Sequence, residues 1–80
     1  MGFKKNFKKL MKEPLEMRLG EIMNILLHFG YEIDRIHGSH YIFVKPHCDT
    51  ITLPVHKGKI TKVYLKVVKE LLKNTIILYP

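Results

Sequence analysis

The sequence predicts a small α+β domain, a two-layer sandwich in which two helices cover one face of a three-stranded antiparallel sheet, with a short basic helix in front. Apolar residues recur at helical spacing in two segments. Between these lie three segments rich in aromatic and β-branched residues and separated by turn residues. The order α-β-β-β-α favours the sandwich because each element must bury one apolar face. Eighty residues are enough for one such domain with a small core.

The N-terminal segment is strongly basic, and its apolar residues from Phe3 to Leu10 fall at helical spacing. This pattern is typical of an amphipathic helix or of a frayed, solvated arm, and contact with nucleic acid or a partner protein is the other role open to its lysines. Pro14 ends the segment because proline disfavours the helical state in the residue before it. We therefore assign residues 1–16 to a basic N-terminal extension and residues 17–80 to the domain.

The first helix of the domain is expected at residues 20–29, with Gly20 at its start and Gly30 as its stop signal. Its buried face is predicted to be the stripe Ile22, Ile25, Leu26 and Phe29.

The second helix is expected to begin after Thr61, a good N-cap residue, and to end near Asn74. Its core side is predicted to comprise Tyr64, Val67, Val68, Leu71 and Leu72. The opposite face carries lysines at positions 62, 66, 69 and 73, which form either a solvated surface or a contact to a nucleic-acid backbone. Residues 75–79 are apolar enough for a short strand or for a tail that a partner covers.

The three strands are predicted at residues 31–37, 39–45 and 50–55. Gly38 is expected to turn the first hairpin, because glycine adopts backbone conformations that a side chain penalises. Pro54 cannot donate a ladder hydrogen bond, which places the third strand at a sheet edge or the proline at its end.

The middle strand is ambiguous. His40, Ile42 and Val44 share one face, Tyr41 and Phe43 share the other, and the period alone does not say which face is buried. The expected two-layer architecture is shared by double-stranded-RNA-binding domains, although a shared fold does not establish a shared function.

The net charge of +7 favours a polyanionic partner, with nucleic acid ahead of an anionic membrane. The charge is uneven, since the acidic residues concentrate between residues 13 and 34 and both flanking segments are basic. Cys48 is the only cysteine, so an intramolecular disulfide and a cysteine-rich zinc site are excluded and a cytoplasmic location is expected. No apolar run approaches the roughly 20 residues that a membrane span needs.

Four segments, in order and at their spacing, resemble the HicA family of mRNA interferase toxins. They are LLHFGYE at 26–32, RIHGSHYIF at 35–43, KP at 45–46 and ITLPVH at 51–56. That family has a helix ending L-L-x-x-x-G-F-E, a strand ending R-x-x-G-S-H, a strand ending in a basic residue, x and Pro, and then T-V-P-x-H before a closing helix. Tyr31 replaces the usual Phe, and the likeness covers about residues 17–73.

The resemblance implies a toxin that cleaves mRNA without a metal or other cofactor and is held inactive by a HicB-like antitoxin. It carries the catalytic role to His40 of the Gly-Ser-His triplet. Metal-free RNA cleavage needs a base and an acid, and His40 could serve as either. Ser39 could orient the imidazole, hold a phosphate oxygen or simply form the turn. His56 is the first candidate for a second proton carrier, with His37 behind it.

The RNA-binding residues expected around this triplet are Gly38, Lys45, Lys57, Lys59 and Lys62. Lys57 and Lys59 flank Gly58 and are candidates for gripping a phosphate near the site. The histidines lack helical or finger spacing, so no metal site is expected.

A non-catalytic module that binds double-stranded RNA, or an adaptor, is the alternative class of function. It would use the same sandwich and the same lysine surface, but it has no need of His40 beside Gly38 and Ser39.

Overall fold

A computed structural model describes the backbone of residues 2–78 and the side chains of residues 2–73. Its elements follow in chain order: α1 (Phe3–Met11), β1 (Glu16–Arg18), α2 (Leu19–His28), β2 (Glu32–His37), β3 (His40–Val44), β4 (Ile51–Pro54), β5 (Lys59–Thr61) and α3 (Lys62–Leu78). The α+β class and the three-stranded antiparallel sheet are confirmed. No helix in this part of the chain is long and apolar enough to cross a membrane.

The larger sheet has the order β2-β3-β4, and both strand pairs are antiparallel. Each strand lies within one residue of its predicted bounds at either end, and α2 begins one residue earlier than predicted. Arg18 takes the N-cap position of α2 in place of Gly20, because the Glu21 carboxylate accepts the backbone N–H of Arg18 at 2.9 Å.

The register of β3 and β4 settles which face of the middle strand is buried. Tyr41 pairs with Leu53 and Phe43 with Ile51, and these four side chains belong to or pack against the hydrophobic core. Residues directly opposite each other share a face, so His40, which pairs with Pro54, lies on the other side of the sheet. The sheet therefore has one apolar face and one face turned away from the core.

Both helices of the domain supply the other half of this core. The stripe predicted for α2 is confirmed, with Ile22, Ile25 and Leu26 fully buried and Phe29 packed against the core cluster. The core side of α3 was predicted partly wrongly. Its fully buried side chains are Leu65, Val68 and Leu72, whereas Tyr64 is 38% exposed and Val67 48% exposed. The helical period permits either stripe of α3 to be buried, and the position of the sheet beneath the helix selects the stripe of Leu65, Val68 and Leu72.

The helix α3 does not stop at Asn74 as predicted. Its backbone remains helical through Leu78, so residues 75–78 do not form the short strand that was one of the two alternatives for residues 75–79. Tyr79 lies outside the described residues. Asparagine is only a weak helix stop, and no proline or glycine follows it before residue 80.

The N-terminal segment is a helix packed on the domain and not a frayed arm. In α1, Leu10 is fully buried and Phe3, Phe7 and Met11 pack against the core cluster. Asn6 is also buried, and its Nδ2 donates to Oδ1 of Asn24 on α2 at 3.1 Å. Burying a leucine side chain is worth about 1.5–3 kcal/mol, so α1 adds to the stability of the whole domain.

A second, two-stranded sheet has no counterpart among the predicted elements. The strands β1 and β5 pair antiparallel, with Met17 opposite Ile60 and both side chains buried. Each strand has only three residues, which is too short for an alternating pattern to stand out. The pairing holds the segment before α2 against the segment before α3.

Candidate functional site

A two-residue loop, Gly38-Ser39, joins β2 to β3. Gly38 has a φ of 63°, and this left-handed glycine at the first loop position is typical of a type II′ hairpin turn. His37 and His40 are the residue pair that closes the turn. The backbone requirement at Gly38 therefore explains why the strand begins at His40.

The outer face of the sheet carries a shallow depression of about 470 Å³. The residues that line it are Arg35, His37, His40, Ile42 and Thr52. All three basic side chains in this set are exposed, and the site lies on the sheet face opposite the helices. A nucleic-acid strand can therefore approach His40 without any movement of the core.

Ser39 is a turn residue, and its carbonyl oxygen accepts the backbone N–H of Val55 at 2.8 Å. This hydrogen bond extends the pairing of β3 and β4 past His40 and Pro54. His56 is the next residue after Val55 along the chain. The structure thus brings His56 to the same end of the sheet as the His40 turn.

His56 opens a second tight turn, in which it pairs with Lys59 through two backbone hydrogen bonds of 2.9 Å. Lys57 and Gly58 form the tip with φ values of 52° and 77°, and two positive φ values are typical of a type I′ turn. Lys57 is exposed at this tip, beside the end of the sheet where His40 lies.

Two of the predicted RNA-binding lysines of this region have other contacts. The Nζ of Lys59 lies 2.8 Å from Oε2 of Glu16, on the strand paired with β5. Lys62 begins α3 with a half-buried side chain, and its backbone N–H donates to the carbonyl of Leu15 at 2.9 Å. Lys57 therefore stands apart from Lys59, whose charge is balanced by a carboxylate.

Lys45 lies at the far end of β3 from His40. Five residues of strand at about 3.3 Å per residue place their backbones roughly 16 Å apart. The Lys45 ammonium lies 5.7 Å from the centre of the Tyr31 ring, a cation–π contact. Burial, with smaller contributions from Cys48 and Asp49, raises the pKa of Tyr31. The structure does not bring Lys45 together with the His40 turn.

Part of the lysine stripe on α3 surrounds one carboxylate. The Nζ of Lys69 lies 2.9 Å from Oε2 of Glu13, and Lys66 lies 3.9 Å from Oε1. The hydrogen bond from Lys69, and then its charge, hold the pKa of Glu13 below its usual range. This carboxylate offsets positive charge that the stripe would otherwise present to a polyanion.

Sequence reasoning left Arg35 out of the site. The sequence feature that could have identified Arg35 is its position two residues before His37, which places both side chains on one face of β2. The Arg35 Nε lies 3.9 Å from Oδ2 of Asp34. Among the described residues, no group of three or more His, Cys, Asp or Glu side chains is arranged to hold a metal ion.

The fold and this site define a small basic α+β domain that presents histidine and arginine side chains on an exposed sheet face. A family model described as "HicA toxin of bacterial toxin-antitoxin" matches residues 20–75, well over half of the chain. The chain belongs to the HicA toxin family. The match begins just inside α2 and ends within α3, so α1 and β1 lie outside it. No curated protein and no solved structure matches the chain.

Proposed function

We propose that this chain is the toxin of a toxin–antitoxin pair, that it cleaves mRNA as a metal-independent endoribonuclease, and that His40 carries a proton in the reaction. One observation supports the choice of residue above the others. His40 is exposed at the end of a glycine-dependent turn, on the open face of the sheet, within a depression that also holds an arginine.

The chemistry requires few protein groups. The ribose 2′-hydroxyl attacks the adjacent phosphorus, a base removes its proton, an acid protonates the departing 5′-oxygen, and cations stabilise the charge on the phosphate. Histidine is suited to either proton transfer because it changes charge near neutral pH. His40 fills one of these two roles, and the second role falls to another residue at this end of the sheet.

The neighbouring residues have supporting roles in the proposal. Ser39 positions His40 through the turn, and its hydroxyl is available to orient the imidazole or to hold a phosphate oxygen. Gly38 allows the RNA backbone to approach, and Lys57 contributes positive charge from the adjacent turn. His56 and His37 are the two candidates for the second proton carrier.

The other lysines of the RNA-binding set have more distant parts in this proposal. Lys59 and Lys62 would contact backbone phosphates beyond the reacting one. Lys59 is also paired with the Glu16 carboxylate. Lys45 would contact RNA at the opposite end of β3. Such contacts position the strand without reading its sequence.

We further propose that the helices and sheet are arranged as in a double-stranded-RNA-binding domain. The support is that α2 and α3 bury their stripes in the same core as the inner face of β3 and β4. The alternative function, a non-catalytic RNA-binding or adaptor module, uses the same architecture. It differs in one requirement, since a binding module does not need His40.

The inhibitor expected from this proposal is a HicB-like antitoxin. Covering the His40 turn and placing acidic side chains against Arg35 and Lys57 would block RNA and speed association by charge complementarity.

The decisive experiment compares two histidine variants, His40→Asn and His47→Asn, in cleavage of a synthetic mRNA followed on a denaturing gel. His47 is the matched control because it is also exposed but lies in the loop at the far end of β3. Asparagine suits both positions, since His47 has a φ of 64° and asparagine tolerates that backbone.

The His40→Asn protein should cleave at least about 100-fold more slowly, as expected for loss of acid–base catalysis, while His47→Asn should match the parent protein. Cleavage should persist in excess chelator. Full activity of His40→Asn would refute the catalytic assignment, and loss of parent activity on chelation would refute metal independence. RNA binding by a protein that never cleaves would favour the non-catalytic module.

A further inference from the structure

Two histidines face each other across the β2–β3 hairpin. His37 and His40 are register partners that close the Gly38-Ser39 turn. Side chains of directly opposed residues in an antiparallel pair share a face, with Cβ atoms about 4.5–5.5 Å apart. Both residues are exposed, and both line the same depression. Their proximity is therefore a consequence of the turn and needs no rearrangement.

A pair of histidines suits in-line RNA cleavage better than a single one. The attacking 2′-oxygen and the departing 5′-oxygen lie on opposite sides of phosphorus, so the base and the acid must stand on either side of the phosphate. Two imidazoles on adjacent strands can flank a phosphate that lies over the turn. One imidazole cannot reach both oxygens in the same step.

The structure favours His37 over His56 as the partner of His40. His56 lies in a separate turn, and its backbone is engaged with Lys59 in the bridge that closes it. The residues that line the depression around His40 include His37 and do not include His56. In the sequence His56 stands two residues after Pro54 in the loop before α3, whereas the strand register places His37 directly opposite His40.

Arg35 provides the positive charge beside this pair. It lies on the same face of β2 as His37 and pairs with Ile42 of β3. Its side chain is 71% exposed, and its contact with Asp34 is long at 3.9 Å, which leaves guanidinium N–H groups free to bind a phosphate. The β4 residues on this face, Thr52 and Pro54, bring no charge. The charged side chains considered around the pair are therefore Arg35, its ion-pair partner Asp34 and Lys57 on the adjacent turn.

We propose that His37 and His40 form the acid–base pair of the ribonuclease, with Arg35 binding the non-bridging oxygens of the phosphate; this inference rests on the proposed function. One neutral imidazole takes the 2′-hydroxyl proton as the O2′–P bond forms. The other, protonated, gives its proton to the 5′-oxygen as the P–O5′ bond breaks. The products are a 2′,3′-cyclic phosphate and a 5′-hydroxyl, and solvent returns the proton between turnovers.

The first test compares His37→Asn with His56→Asn in single-turnover cleavage of a short RNA. The His37→Asn protein should lose about 100-fold or more in rate, a much larger loss than that of His56→Asn. Binding of a non-cleavable RNA with a 2′-deoxy substitution, measured by fluorescence anisotropy, should be similar for all three proteins. This readout separates a loss of proton transfer from a loss of folding or of RNA affinity.

The second test uses an RNA whose bridging 5′-oxygen is replaced by sulfur, because a thiolate leaves without needing a proton. This substrate should restore cleavage in either His37→Asn or His40→Asn, whichever lacks the acid, and not in the other. In the parent protein it should also remove the fall in rate at high pH, since that fall reports the acid. The parent measurement stands even if a variant fails to fold.

The outcomes separate the two proposals. Near-normal cleavage by His37→Asn together with an inactive His40→Asn refutes the histidine pair and leaves the ribonuclease proposal intact. A large loss in His56→Asn with normal His37→Asn assigns the second role to His56. Normal cleavage by His40→Asn refutes the catalytic role of His40 and with it the histidine pair, whereas a parent protein that cleaves no RNA refutes the ribonuclease proposal itself. An unchanged pH profile with the sulfur-substituted RNA refutes protonation of the leaving group by either histidine.

Discussion

Replacing Leu10 by alanine tests whether the N-terminal helix belongs to the folded core. Leu10 is fully buried in the same core cluster as Phe43 and Leu72. Removing a buried leucine side chain costs the lost transfer free energy and leaves a cavity, together about 2–5 kcal/mol. A solvated arm would lose almost nothing on the same change. The exposed neighbour Lys8 provides the control, since a surface change to alanine in a helix stays within about 0.5 kcal/mol.

The size of this loss makes it easy to measure. Domains of 80 residues have a free energy of unfolding of about 4–12 kcal/mol, so Leu10→Ala should remove a large share of it. In the His40→Asn background, which the proposed function predicts to be non-toxic, urea unfolding should show a clearly lower midpoint with an unchanged slope. Each kcal/mol should also lower Tm by about 4–8 °C. Equal stability of the Leu10→Ala and Lys8→Ala proteins would show that α1 does not pack on the domain.

Three further outcomes are expected. Lys57→Ala should slow RNA cleavage and flatten its salt dependence more than Lys73→Ala, because Lys57 lies beside the His40 turn; equal effects in a salt series would mean a diffuse cationic field. The pKa of the Glu21 carboxyl lies below its ordinary value. Burial raises this pKa, but the hydrogen bond from the Arg18 backbone and the ammonium of Lys9 lower it by more. The ionised Glu21 carboxylate therefore stabilises the fold above pH 4.5, the ordinary pKa of a glutamate, and this stabilisation is lost as the pH falls below that value. When the pH is lowered from about 7 to about 3, the Tm of Glu21→Gln should fall less than the Tm of the parent protein. An antitoxin complex should not bind RNA, and undiminished RNA binding by the complex would refute inhibition by covering the site.

Much of this fold can be predicted from the sequence, because it depends on local chemistry. The apolar stripe of α2, the three strands and the glycine turn each depend on residues within a few positions of one another. Gly38 is the clearest case, because a left-handed backbone at that position can be expected from glycine alone. The resemblance of the Gly-Ser-His triplet to the HicA pattern is what marks His40 as a candidate site residue.

The features that the sequence pattern did not predict share a different cause. The strands β1 and β5 are short and find their partners across about 40 residues of chain, so no local pattern marks them. The stripe of α3 was misjudged at Tyr64 and Val67 because several stripes of a long amphipathic helix are apolar. Only the surface beneath the helix selects the buried one.

The sequence by itself determined α2, the three strands of the larger sheet, the hairpin turn and the family of this protein, since these depend on residue identity and short spacing. The tertiary structure decided which face of β3 is buried: Tyr41 and Phe43 face the helices, and His40 faces outward. It also decided that His37, through the strand register, is the histidine opposite His40. The first decision depends on how separate segments pack, because a strand of alternating apolar residues offers two faces and burial against the helices chooses between them. The second depends on the length of the hairpin loop, which fixes the register of β2 and β3.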